Sequence, residues 1–164
     1  MEERIVSRSA TDEEEKIAHA VGLAAIKYAD LSHNLASDYV FDWNTMLAMD
    51  GNTGPYMLYA VARMMSIGRK AGLNLELVNP RWKLVPKEPV EIDLIKVLTR
   101  FGDVLNLVYE TLRPNVLTDY LYDVSKAFSS FYDRKTGVSV LEASSEELKQ
   151  SRLLLCALCA TVPN

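Results

Sequence analysis

The alternation of apolar and polar positions divides this chain into helices with almost no strand signal. Between residues 12 and 33, Ile17, Val21, Ala24, Ala25 and Tyr28 recur at helical spacing. Thr11 and Glu14 form a capping box ahead of them, and the acids Asp12 to Glu15 suit the positive end of a helix dipole. The period is lost in "LASDYVFDW", which predicts an extended connection with alternating Tyr39, Phe41 and Trp43, then a short helix near Asn44 to Met49. The run "DGNTG" is the clearest turn signal. Asn52 or Thr53 can cap the helix that follows, Pro55 fits its first turn, and Gly72 should end it just after Ala71. On that helix Leu58, Val61, Ala62 and Met65 make a core-facing set.

Beyond the Pro-rich, basic connector "LNLELVNPRWKLVPKEP", three segments carry i, i+3, i+4 apolar spacing: "VEIDLIKVLTRF", "GDVLNLVYETL" and "PNVLTDYLYDVSKAFSSFYDRK", the last opened by Pro114. "DRKTGVSV" reads as a loop. Ser144 and Glu147 predict a second capping box, for a final helix to about Ala160. The architecture expected is an all-α helical bundle with a helical N-terminal lead-in.

Composition narrows the class. A chain of 164 residues that is 49% hydrophobic can bury one core. The sequence has no run of about 18 apolar residues, the length needed to span a membrane, and "MEERIVSRSATDEEEK" is too acidic for a signal or transit peptide. Net charge is −4 and the pI about 5.2, unlike a general nucleic-acid binder. The balance nevertheless tips basic between residues 60 and 90, through Arg63, Arg69, Lys70, Arg81, Lys83 and Lys87. Cys156 and Cys159 form a CxxC inside an apolar helix without further ligands nearby, so two buried thiols and a reducing compartment are expected.

No nucleophile elbow, zinc-protease, phosphate-loop or dinucleotide motif is present. Asp119 and Asp123 share a helix face as solvated acids, and His19, alone among apolar residues, reads as structural. His33 near a helix end can favour the dipole. Tyr120, Tyr122, Phe128, Phe131 and Tyr132 are spaced as core and groove fillers. The remaining feature is in "GNTGPYMLYAVAR", where Tyr56, Tyr59 and Arg63 fall at i, i+3 and i+7, on one helical stripe. Such a stripe can be packing plus a surface charge, or a platform that stacks unpaired bases and holds a phosphate.

The blocks "AAIKYADLSHN", "FDWNTMLAMDGNTGPYMLYAVARMMSIGRK", "TDYLYDVSKAFSSFYD" and "SRLLLCALCATV" resemble, in order and spacing, the C-terminal part of arginine–tRNA ligases, of the eukaryotic cytosolic type. The resemblance covers residues 10 to 162. It implies a DALR-type anticodon-binding helical domain over residues 45–164, lacking its last helix, and before it a segment, residues 1–44, linking to a missing catalytic domain. It implies that Tyr56, Tyr59, Arg63 and Asn52 lie at the anticodon loop. Tyr59 would serve the middle cytosine, Tyr56 would pack the splayed loop and Arg63 would contact backbone or base. The HIGH-like and KMSKS-like signatures are absent. ATP and Mg would therefore belong to the parent enzyme, with no cofactor in this chain, and arginylation would need the rest of the ligase. The partners implied are arginine tRNA and a separate catalytic domain or multi-synthetase assembly in the cytoplasm, with no membrane and no DNA. A degenerate synthetase domain acting as a protein-interaction module, and a truncated product without its own role, are the competing readings.

Overall fold

A computed structural model describes residues 11–79, 81–133 and 138–162. Helix α1 (Asp12–Ser32) starts as its sequence dictates: the Glu14 N–H donates to Thr11 Oγ1 at 3.3 Å, and the Thr11 N–H donates to the Glu14 carboxylate at 2.8 Å. Its first two turns stand clear of the bundle, and only from Val21 onward do residues such as Ala25 and Ala29 become buried. His19 is therefore no structural histidine. It lies on the exposed part of α1, beside Asp12, Glu15 and Lys16, because its apolar neighbours on that turn have nothing to pack against. At the other end His33 Nδ1 lies 2.6 Å from the Ala29 carbonyl oxygen, and its ring stacks on Tyr39 with centroids 4.3 Å apart.

A single turn, α2 (Trp43–Met46), follows, one residue earlier and shorter than expected. Asp42 caps it through the Asn44 and Thr45 N–H groups. Thr53, not Asn52, caps α3 (Gly54–Lys70): its Oγ1 accepts from the Tyr56 N–H at 3.2 Å and donates to the Ala48 carbonyl at 2.7 Å. Gly72, at φ +72°, turns the chain out of α3 in the left-handed region that glycine tolerates. A 3₁₀ turn (Leu75–Leu77) then leads through the connector to α4 (Pro89–Thr99) and α5 (Phe101–Thr111). Leu112, at φ +53°, separates α5 from α6 (Pro114–Phe131). The predicted loop after α6 falls in part on residues 134–137, outside the described residues.

The last helix, α7 (Glu146–Thr161), is capped by Ser145, whose Oγ accepts from the Leu148 N–H at 3.2 Å. The expected Ser144–Glu147 box does not form. With the cap one residue later, Leu148 takes the third helical position and is buried there, while both serines are exposed. Helix α7 runs through the centre of the bundle. Leu153, Leu155, Cys156 and Cys159 are fully enclosed against Met64 and Ile67 of α3, Leu94 of α4, and Val124, Phe128 and Phe131 of α6. Both thiols are free, and desolvation pushes each up, Cys156 to about 12. Among the described residues every regular element is helical, as expected, and no helix is long and apolar enough to cross a membrane.

One buried ion pair locks three segments together. Arg152 Nε donates to Glu91 Oε1 at 2.6 Å, and Arg152 Nη1 donates to the Ser139 carbonyl at 2.8 Å. The other Glu91 oxygen accepts from the Lys87 and Glu88 N–H groups at 2.6 and 2.8 Å. Desolvation pushes the Glu91 carboxyl up, but the Glu88 N–H, Arg152 and the Lys87 N–H outweigh it and hold it below the ordinary range.

Candidate nucleic-acid interface

Which face α3 buries decides what the Tyr56 stripe can do. After Gly54 and Pro55 at its start, the buried residues are Met57, Ala60, Met64, Ile67 and Gly68. Leu58 and Ala62 are exposed, and Val61 and Met65 only half-buried, so the expected core set is the wrong one. Both sets obey helical spacing because α3 is apolar over most of its circumference, and the positions of α1, α6 and α7 select between them.

The chosen face leaves Tyr56, Tyr59 and Arg63 along the border between α3 and α6. Tyr56 is half-buried, with its ring edge-on to Tyr122 at 5.9 Å and its hydroxyl 3.4 Å from Ser129 Oγ. Tyr59 is 47% exposed. The Arg63 guanidinium lies between two phenol rings, 5.9 Å from the centroid of Tyr59 and 5.4 Å from that of Tyr132. Tyr132 in turn stacks on the fully buried Phe128, centroids 6.1 Å apart and planes 11° apart. A chain of rings thus runs from the core to the surface and holds a cation in its outermost gap. Cation–π contact at such partly exposed sites contributes about 0.5–1 kcal/mol per pair, enough to bias the orientation of the guanidinium while leaving N–H donors for a ligand.

Next to Arg63 a cleft of about 1190 Å³ opens between the C-terminal half of α3 (Ser66, Lys70), the end of α6 (Ser129, Tyr132) and the stretch from Val138 to Glu142. It offers hydroxyls, the Lys70 ammonium and the Arg63 guanidinium, together with the carboxylates of Asp133 and Glu142. Lys126 Nζ sits 4.6 Å over the Tyr122 ring and 2.9 Å from Asp123 Oδ1. That carboxylate, first of several causes, pushes the lysine up, so it stays charged at neutral pH. Tyr122, Lys126 and Tyr132 thus belong to this surface as well as to packing. On α6 alone the two tyrosines look like fillers, because their neighbours Tyr120, Phe128 and Phe131 are core. The missing signal lies across the helix pair.

Asn52 occupies the turn just before α3, but its amide is engaged internally. Its Oδ1 accepts from the Tyr28 hydroxyl at 2.7 Å, and its Nδ2 donates to Asp119 Oδ1 at 3.0 Å. Asp119 and Asp123 are therefore not a carboxylate pair. Each is engaged by a different partner, Asn52 for one and Lys126 for the other.

Residues 57–163 match the family described as "DALR anticodon binding domain". The chain belongs to that family. Residues 1–43 match another, described as "tRNA synthetases class I (R), catalytic domain". An arginine–tRNA ligase of Nostoc sp. is 47% identical over 146 residues, which is 89% of this chain and 25% of that protein. One of Rippkaea orientalis is 45% identical over 163 residues, 98% of this chain and 27% of that protein. The crystal structure of arginyl-tRNA synthetase from Plasmodium falciparum superposes with a TM-score of 0.78 at 31% identity, covering 92% of this chain and 26% of that one. The chain thus spans about a quarter of the length of the curated relatives it matches. The kinship is with arginyl-tRNA synthetases that carry a DALR domain, and these sequence relatives are bacterial, so they do not single out the eukaryotic cytosolic type.

Proposed function

We propose that this chain is the tRNA anticodon-binding portion of an arginine–tRNA ligase, an enzyme that attaches arginine to its tRNA with ATP and Mg. Single-stranded loops are recognised by unstacked bases laid on aromatic faces and read at their edges. The observation that carries the reading is the Arg63 guanidinium held between Tyr59 and Tyr132 at the mouth of a polar cleft. Tyr59, half exposed beside Arg63, offers its ring to the middle anticodon cytosine, Tyr56 and Tyr122 back the splayed loop, and Arg63 forks onto phosphate or a base edge. Asn52 supports the turn from which these residues start. Residues 45–164 form the anticodon-binding unit and residues 1–44 the connection to a catalytic portion.

A catalytic portion would also account for the apolar residues that stand exposed before α3, among them Leu35, Val40, Phe41, Trp43 and Met49. The cytoplasm is the compartment where such a ligase works. A narrower placement in the eukaryotic cytosolic branch rests on the sequence resemblance alone. Binding of arginine tRNA by fluorescence anisotropy at near-physiological salt tests the function, against the same tRNA with its middle anticodon cytosine changed. A clear preference for the cytosine supports the reading. Equal affinity for the two overturns it.

A further inference from the structure

The turn that launches α3 is pinned from two sides. On one side, α1 and α3 meet backbone to backbone: a Cβ placed on Gly54 would lie 2.9 Å from the Ala24 carbonyl oxygen, closer than real side chains tolerate, and a tight 3.0 Å from Ala25 Cα. On the other, Asn52 reaches across to Asp119 on α6. The Tyr28 hydroxyl, from α1, closes the triangle by sharing its proton between Asn52 Oδ1 at 2.7 Å and the Thr118 carbonyl at 3.0 Å. Burial, helped by the charge of Asp119, raises the Tyr28 phenol well above its ordinary range, so it remains a donor. One amide therefore receives from α1 and gives to α6, and it sits four residues before Tyr56 and seven before Tyr59.

We propose that Asn52 is a positioning residue for RNA recognition, setting the direction in which α3 leaves its turn and with it the placement of Tyr56 against Tyr122 and of Tyr59 against the incoming base. The inference rests on the anticodon-binding reading and deepens it. Neither partner of Asn52 need touch RNA. Because one arm of the triangle belongs to α1, the aromatic stripe is correctly aimed only while α1 is docked. This gives the lead-in helix a part in recognition, as well as in connecting domains.

The polarity of the Asn52–Asp119 bond can be reversed. In Asn52→Asp two carboxylates face each other and the donor is lost. In Asn52→Asp combined with Asp119→Asn, the new asparagine donates back and Tyr28 keeps its acceptor. Two readouts apply to the 164-residue chain well below its unfolding temperature. The first is the nuclear Overhauser contact between the rings of Tyr56 and Tyr122, which needs no RNA. The second is affinity for an arginine-tRNA anticodon stem-loop. Misplacing one base-stacking ring should weaken binding about tenfold. Asn52→Asp should lose both the ring contact and this affinity, and the double variant should return to within about twofold of the parent. An intact ring contact in Asn52→Asp overturns the inference, as does a double variant that regains thermal stability without regaining the ring contact. If the parent chain ignores the stem-loop, the anticodon-binding reading falls, and the ring contact alone still decides whether Asn52 aims α3.

Discussion

Replacing Arg152 by methionine should be among the most damaging single changes in this chain. Glu91 is 0% exposed and Arg152 6%. Methionine fills much of the arginine stem but removes the donor 2.6 Å from Glu91 Oε1 and the one 2.8 Å from the Ser139 carbonyl. Removing one member of a buried pair typically costs about 3–5 kcal/mol, because the other charge is left uncompensated. Here the Lys87 and Glu88 N–H groups still serve Glu91, which places the expected loss at about 3–4 kcal/mol. For a chain of this size that lowers the melting temperature by about 6–16 °C. Urea and thermal unfolding followed by circular dichroism at pH 7 measure it. Glu91→Gln in the Arg152→Met background should recover at least about 1 kcal/mol, since the neutral amide can still accept from both backbone donors without burying a charge. The pH dependence has a defined sign. Glu91 is held below its ordinary value, so its contribution is complete above the ordinary glutamate range, near pH 4.5, and drains away as pH falls below it. Arg152→Met should flatten that acid limb. A loss under about 1 kcal/mol, or an acid limb unchanged by the substitution, would refute the reasoning.

Three further outcomes are expected. Tyr59→Ala should weaken recognition of the anticodon cytosine by about 1–3 kcal/mol while moving stability little, because the ring is half outside; parallel anisotropy and melting curves check this, and extensive unfolding would put Tyr59 in the core. Arg63→Ala should reduce RNA affinity and lower the slope of log K against log salt by roughly one phosphate's worth; an unchanged slope would count against a phosphate contact. Leu112→Gly should stabilise the chain by up to about 1 kcal/mol in urea unfolding, because a left-handed, exposed leucine carries strain that glycine does not; a loss of stability would mean that the leucine side chain supports the α5–α6 joint.

Local rules carried the reading of this sequence a long way. The Thr11–Glu14 box, the turn at Gly51 to Gly54, the stop at Gly72 and the start at Pro114 are all written in neighbouring residues, and the helices begin and end there. What failed needed knowledge of a second helix. Helix α3 offers two apolar stripes of equal period, and nothing within it says which one meets α7. Ser144 and Ser145 are both good caps, and the choice follows from burying Leu148. Tyr122 and Tyr132 look like their buried neighbours until α3 is laid beside α6 and leaves them at its edge. The Glu91–Arg152 pair, 61 residues apart in sequence, has no local signature at all. The stripe of Tyr56, Tyr59 and Arg63 was legible because its members share one helix, whereas the cleft beside it is assembled from three segments.

The two thiols of α7 give the chain an internal clock. Burial pushes both thiols well up, so they stay protonated at pH 7, and both sulfurs lie at the meeting point of α3, α4, α6 and α7. An alkylating reagent can reach them only when those helices part. The rate at which the native protein takes up such a reagent, divided by the rate for an unfolded peptide, therefore reports the free energy of the opening that exposes these thiols, without any denaturant. Any tRNA that binds the folded chain and not the unfolded one should slow this labelling in proportion to its occupancy.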